Sequence, residues 1–264
     1  MSTISVVIPS LDDARMVAQC LAALARQTRP PDEIIVVDNG STDDTAAVAL
    51  AGGARLVSEP RRGVLRATAR GFDAAGGAVI GRLDADSIPA PDWTARLEQR
   101  FDADPTLTAL TGTGRFYGAG AGWRLIGRYG YLGGYFVSMR LVMGHVPLFG
   151  SNFALRRSAW LDVRERVHLE DPRMHDDLEI SFALDPDAGV EYDRMLHVGV
   201  SARPFATFAG FRRRVAWAFH GIAVDLSETG VLRRQWLCAR GRRRRRAARR
   251  AARLSAARAP ASPR

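Results

Sequence analysis

The chain has 264 residues, 47% hydrophobic and 25% charged, with 25 Gly and 13 Pro. Those proportions suit a globular protein with one sizeable core and exclude a disordered, collagenous or disulfide-dense chain. All 38 basic residues are Arg, and 11 of them fall in the last 25 residues, from Arg240 onward, where there is no acid. Residues 1–239 carry 27 Arg against 28 acids, a net of −1, so the basic character belongs to the C-terminal stretch and does not make the rest a nucleic-acid binder.

Cys20 and Cys238 lie more than 200 residues apart, without CxxC or Cys/His spacing, and read as isolated thiols of a reducing compartment. The longest stretch without Asp, Glu, Lys or Arg, Leu141 to Leu155, contains His145, Pro147, Ser151 and Asn152. It falls short of the about 20 apolar residues a membrane helix needs. The apolar start at Ile4–Ile8 lacks a preceding basic cluster and runs into Asp12 and Asp13, a poor signal peptide. The expectation is a cytoplasmic protein.

In chain order, Ile4–Ile8 is a short β-branched run ending at Pro9, the pattern of a buried parallel strand, and Met16, Cys20, Leu21 and Leu24 recur at helical spacing. Glu33–Asp38 is a second strand, followed by a helix whose start is marked by Ser41, Thr42 and Asp43. Arg55–Val57 is a third strand. Residues 64–75 predict a helix interrupted at Gly71, and Ala78–Leu83 a fourth strand. Strands alternating with helices predict a parallel sheet covered on both faces, with its ligand at the carboxyl ends of the strands. Beyond Asp86 come a helix through Trp93, Leu97 and Phe101, a strand at Thr106–Phe116, and a helical or broken-helical surface segment at 123–143 containing Arg124, Arg128 and Arg140. Shorter elements follow at Ala154–Trp160, Asp176–Leu184, Val190–Val200 and Phe205–Val224. The Arg/Ala stretch from Gly241 has no apolar face able to build a core.

Acids stand at the ends of two predicted strands: Asp38 closes the second, and Asp84-Ala85-Asp86 the fourth. Carboxylates there point into the ligand crevice, where they accept hydrogen bonds from a base or ribose or hold a hard divalent cation. A DxD triplet met alone is more often a solvated turn.

Its surroundings change that balance. The run IPSLDDARMVAQCLAALARQTRPPDEIIVVDNGSTDDT from Ile8 to Thr45, then Arg62-Gly63 through Gly71, then RLDADSIPAPDW, resembles the nucleotide-diphospho-sugar-binding half of the family 2 glycosyltransferases, in the family's order and spacing. The resemblance is close over about residues 3–101 and loose to about 220. It implies an α/β GT-A (Rossmann-like) fold, a mixed, mainly parallel sheet flanked by helices. It also implies one domain over 1–235, with a nucleotide-sugar half at 1–101 and an acceptor-side half at 102–235. A disordered or fraying helical tail at 240–264 would follow. Gly150–Arg157 looks like the family's acceptor-side strand and loop. Asp176-Asp177-Leu178-Glu179 looks like its Glu-Asp-x-Asp helix start, with Asp176 and Glu179 as charge-preserving replacements and Ala183 where many members have Arg.

On that match Asp177 is the catalytic base, Asp86 holds Mg²⁺ or Mn²⁺, and Asp84 contacts the ribose or supports the metal. Asp38 binds the base, Pro9 and Asp12 line the same pocket, and Arg62 belongs to the nucleotide-binding set. Arg203 is a candidate diphosphate clamp, balanced against a surface arginine. His175 and His197 read as structural. Phe211–Trp217 departs from the Gln-x-x-Arg-Trp motif of processive synthases, so transfer of a single sugar is expected. The partners implied are a nucleotide-diphospho-sugar donor and an acceptor hydroxyl. The aromatic and basic 123–143 segment and the arginine tail put a lipid-linked or cell-envelope acceptor at the inner face of an anionic membrane ahead of a soluble one.

Two other readings rank lower. A sugar-phosphate nucleotidylyltransferase would need a Gly-rich basic loop where Pro9-Ser10-Leu11-Asp12-Asp13 stands. A nucleic-acid binder acting through the tail would be salt-sensitive and indifferent to sequence, with no aromatic residue in the tail for stacking.

Overall fold

The computed structural model describes residues 1–118, 133–201 and 208–258. β1 (Ile4–Ser10), β2 (Glu33–Asp38), β3 (Arg55–Ser58) and β4 (Val79–Arg82) alternate with α1 (Ala14–Leu24), α2 (Thr45–Ala51) and α3 (Val64–Ala74). β5 (Ile88–Pro89), α4 (Trp93–Ala103), β6 (Ala109–Tyr117), α5 (Gly133–Met143), β7 (Phe153–Arg156) and α6 (Arg157–Val163) follow. After one 3₁₀ turn at Arg164–Arg166 come α7 (Asp176–Ala183), β8 (Val190–Ser201), α8 (Phe208–Thr229) and α9 (Val231–Arg258).

The strands form one eight-stranded sheet in the order β3-β2-β1-β4-β7-β6-β8-β5. The first four are parallel to one another, β7 runs antiparallel to both β4 and β6, β8 lies parallel to β6, and β5 is antiparallel to β8. The expected mixed, mainly parallel sheet between helical layers is therefore present. Its burial follows from the period of two in each strand. Ile4, Val6 and Ile8 of β1 face a core shared with Cys20, Leu24, Trp93 and Phe101, while Val7 faces the opposite core with Phe72 and Trp160.

Gly71 does not interrupt α3, contrary to the sequence expectation. A Cβ there would lie 2.3 Å from Val7 Cγ1 and 2.8 Å from Val37 Cγ2, so the glycine lets the helix sit directly on β1 and β2. Of the 123–143 segment, Gly133–Met143 is helical, whereas 119–132, with Arg124 and Arg128, lies outside the described residues.

α9 runs through the division that composition placed between 235 and 240. Its first turns dock on the body. The Arg234 side chain, 1% exposed, donates to the carbonyls of Met143, Ser181 and Phe182, and its guanidinium lies 5.1 Å from the Phe182 ring centre. Burial pushes His145 down to about 4, leaving a neutral ring whose Nε2 accepts from Arg234 at 3.2 Å. Cys238 and Gly241 are also buried. Composition registers none of these contacts. No helix among the described residues is long and apolar enough to cross a membrane.

Candidate active site

β4 is buried along its whole length, and its last residue, Arg82, is 1% exposed. A guanidinium is tolerated there because its surroundings answer it. Nη1 donates to Asp84 and to the Gly150 carbonyl, and Nη2 lies 2.8 Å from Asp176 Oδ2. Burial works against the charge, but the carboxylates of Asp176, Asp84 and Asp177 outweigh it and hold the group above the ordinary arginine range. The other Asp84 oxygen accepts from Ser151 Oγ. The Asp84 N–H donates to Ser87 Oγ at 3.1 Å, and Tyr117 Oη donates to the Asp86 carbonyl at 2.7 Å. The turn carrying both acids is thus fastened from β6 and from the loop before β7.

Opposite this turn is the start of α7. Asp176 is buried and accepts from Thr68 Oγ1 at 2.6 Å as well as from Arg82. Asp177 is half-buried, with Oδ2 accepting from the Gly150 N–H at 2.9 Å. Desolvation and the adjacent Asp176 carboxylate raise the proton affinity of Asp177, and His175, the Gly150 N–H and Arg82 only partly oppose them. A carboxylate shifted upward in this way is a better proton acceptor for a hydroxyl than an exposed aspartate.

These groups share one cavity of about 730 Å³, lined by Pro9, Asp84, Asp86 and Asp177 among the expected site residues. Its far wall comes from α8, where the Arg213 guanidinium stands 5.6 Å from the Trp217 ring and His175 packs against the same ring at 6.3 Å. His175 lines the cavity and His197 does not. Asp12, Asp38 and Arg62 also do not line it. Asp12 sits in the left-handed region at φ 52° and accepts from the Thr42 N–H at 2.6 Å, tying the loop after β1 to the loop after β2. Asp38 accepts from the Ser41 N–H at 2.9 Å. Arg62 is exposed, in a loop that the buried Asn39 pins through the carbonyls of Glu59 and Arg61 and the N–H of Gly63. Arg203 lies outside the described residues.

Sequence reasoning passed over Arg82, Thr68 and Ser151. Only Arg82 left a signal, as a charge inside the apolar strand Val79-Ile80-Gly81-Arg82-Leu83. As a whole the cavity sets carboxylate oxygens, the donor type for hard divalent cations, opposite a carboxylate of raised basicity.

The sequence profile described as glycosyl transferase family 2 matches residues 5–164, a span that contains Pro9, Asp12, Asp38, Arg62, Asp84 and Asp86 and ends before Asp177. Glycosyltransferase AglE of Haloferax volcanii is 33% identical over 101 residues, covering 35% of this chain and 33% of that protein. An uncharacterized glycosyltransferase of Mycobacterium bovis is 38% identical over 127 residues, covering 48% and 55%. The chain thus spans about a third to about half the length of these relatives. Among solved structures, glucosyl-3-phosphoglycerate synthase from Mycobacterium tuberculosis, in complex with Mn²⁺, uridine diphosphate and glucosyl-3-phosphoglycerate, superposes with a TM-score of 0.62. That superposition covers 84% of this chain and 80% of the synthase at 22% identity, a likeness of fold. With more than half of its residues matched by the family profile, the chain belongs to glycosyl transferase family 2.

Proposed function

We infer that the protein transfers a single sugar from a nucleotide-diphospho-sugar to an acceptor hydroxyl, with inversion and with a divalent cation. The observation that carries this reading is the meeting, in one cavity, of the Asp84–Asp86 turn and an Asp177 of raised proton affinity. Pro9, Asp12, Asp38 and Arg62 hold the nucleotide at the strand ends, and Arg203 clamps the diphosphate. Both oxygens of Asp84 are engaged, by Arg82 and Ser151, and Asp86, which lines the cavity, is the carboxylate assigned to the ion. Mg²⁺ or Mn²⁺ bound there supplies Lewis-acid neutralisation of the departing diphosphate. Asp177 takes the proton of the acceptor hydroxyl as that oxygen bonds to the anomeric carbon. The bond to the diphosphate oxygen breaks on the opposite face, and its electron pair leaves with the nucleotide. A single displacement of this kind inverts the anomeric centre.

The acceptor is lipid-linked or part of a cell-envelope glycan, handled at an anionic membrane surface. Support comes from exposed Val137 and Leu141 on α5, from Leu232 and Trp236 on α9, and from the arginines that follow them. Removing residues 240–264 is expected to abolish sedimentation with anionic vesicles, and undiminished binding would exclude the tail as an anchor.

The function itself is tested by thermal shift against a panel of nucleotide sugars with and without Mn²⁺, followed by transfer assays. A correct donor at about 100 times its Kd stabilises by about 2.7 kcal/mol. In Asp86→Ala the Mn²⁺-dependent part of the shift is lost. A wild-type protein that no nucleotide sugar stabilises would overturn the reading.

A further inference from the structure

Two residues beyond Asp177, and about 200° further round α7, lies a second group of potential ligands. Glu179 is 2% exposed. Its Oε1 accepts from the His168 N–H at 2.8 Å and lies 2.8 Å from His168 Nδ1. Its Oε2 is buried and has no hydrogen-bond partner among the described residues. Asp225 of α8 is 6% exposed and completes the group, with the ligand atoms of His168, Glu179 and Asp225 all within 4.8 Å of one another. The same loop meets α8 again where His220 Nε2 contacts Asp171 Oδ2 at 2.6 Å, so the junction is already closed on one side.

We propose that His168, Glu179 and Asp225 form a structural site for a divalent transition ion of the Zn²⁺ type, separate from the donor site. One imidazole nitrogen with two carboxylates is a ligand set for Zn²⁺ or Mn²⁺ rather than for Mg²⁺ or Ca²⁺. Tetrahedral arms of 2.0–2.1 Å place ligand atoms about 3.4 Å apart, so side-chain rotation alone closes the present spacing. Glu179 Oε2 then gains the partner it lacks, and His168 exchanges its contact with Oε1 for the ion. Three elements would be joined. α7 carries Asp177, α8 carries the Arg213 and Trp217 wall, and the His168 loop leads into α7, so the ion fixes the width of the cavity between base and wall.

The test uses the full chain without nucleotide, stripped with EDTA, desalted and titrated with Zn²⁺. Elemental analysis of the desalted protein and the thermal midpoint are read together. Wild type and Asp86→Asn are expected to retain about one equivalent and to melt higher than the stripped form. Glu179→Gln and Asp225→Asn are expected to bind at least tenfold more weakly, with the far-ultraviolet circular dichroism of wild type. Should Glu179→Gln fail to fold, Asp225→Asn gives the same reading, and visible Co²⁺ bands present in wild type and lost in Asp225→Asn identify the site spectroscopically. A wild type that retains no Zn²⁺, or an Asp225→Asn protein that retains as much as wild type, overturns the proposal.

Discussion

The cavity has two acidic walls, and they are built alike but conditioned differently. Each carries a pair of aspartates, one of which is engaged by the buried Arg82: Asp84 on the strand-end wall and Asp176 on the helix-start wall. The partners of these two residues, Asp86 and Asp177, line the cavity. On the helix side, burial and the negative charge of Asp176 make Asp177 hold its proton more tightly. Two adjacent aspartates of identical chemistry thus meet different environments through their partners alone. Asp176 is answered by Arg82 and Thr68, whereas Asp177, whose charge is less well answered, is the one proposed as the base.

The sharpest break of that comparison is Asp177→Asn. It keeps the shape, so nucleotide-induced thermal shifts are expected to persist while kcat falls about 10²–10⁴-fold, the usual worth of a general base. In the wild type, activity should fall as pH drops through the raised Asp177 value, so the acid limb of the kcat profile lies above the ordinary 3.8. Next in size is Arg82→Met, which strands the buried Asp176 and takes the cation from the half-buried Asp84, and should cost about 3–5 kcal/mol in denaturant unfolding. Because Arg82 favours the ionised form of Asp177, residual activity in that variant should show its acid limb moved to higher pH. An unmoved limb would mean that the two walls act independently.

Thr68→Val tests the anchor alone. It removes the 2.6 Å hydrogen bond to Asp176 at constant volume and should cost about 1–3 kcal/mol by chemical denaturation. The smallest effect is a gain. A carboxyl whose folded proton affinity exceeds its unfolded one favours folding at low pH, and that contribution disappears as pH rises from 3.8 through the raised value. At neutral pH the charged Asp177 therefore opposes folding. Asp177→Asn should raise the melting temperature by about 2–4 °C, equivalent to about 1 kcal/mol in a chain of this size.

The strand-end wall was the more legible of the two. β1 to β4 are short β-branched runs separated by helical periods, and both signals are local, so their carboxyl ends and the acids on them could be read directly from the residues. Arg82 could not be understood that way, because the groups that answer it, Gly150 and Asp176, stand 68 and 94 positions further on. The parallel pairing of β8 with β6 is equally remote in sequence. Gly71 misled for a related reason: helix propensity penalises glycine, and only the contact with Val7 and Val37 explains its use. Composition correctly localised the charge, and it was silent on the docking of α9 because a few buried residues barely alter an average.

That docking gives the molecule an electrical direction. Arg234, Cys238 and Gly241 hold α9 at a fixed place, so the eleven arginines from Arg240 onward begin at a defined point beside a body of net charge −1. α9, rising about 1.5 Å per residue, carries most of them along its length. The protein is in consequence charged asymmetrically, with its positive excess gathered on one element. In the field of an anionic surface it would turn before it touched, presenting one preferred side on approach and losing that bias as salt shortens the field.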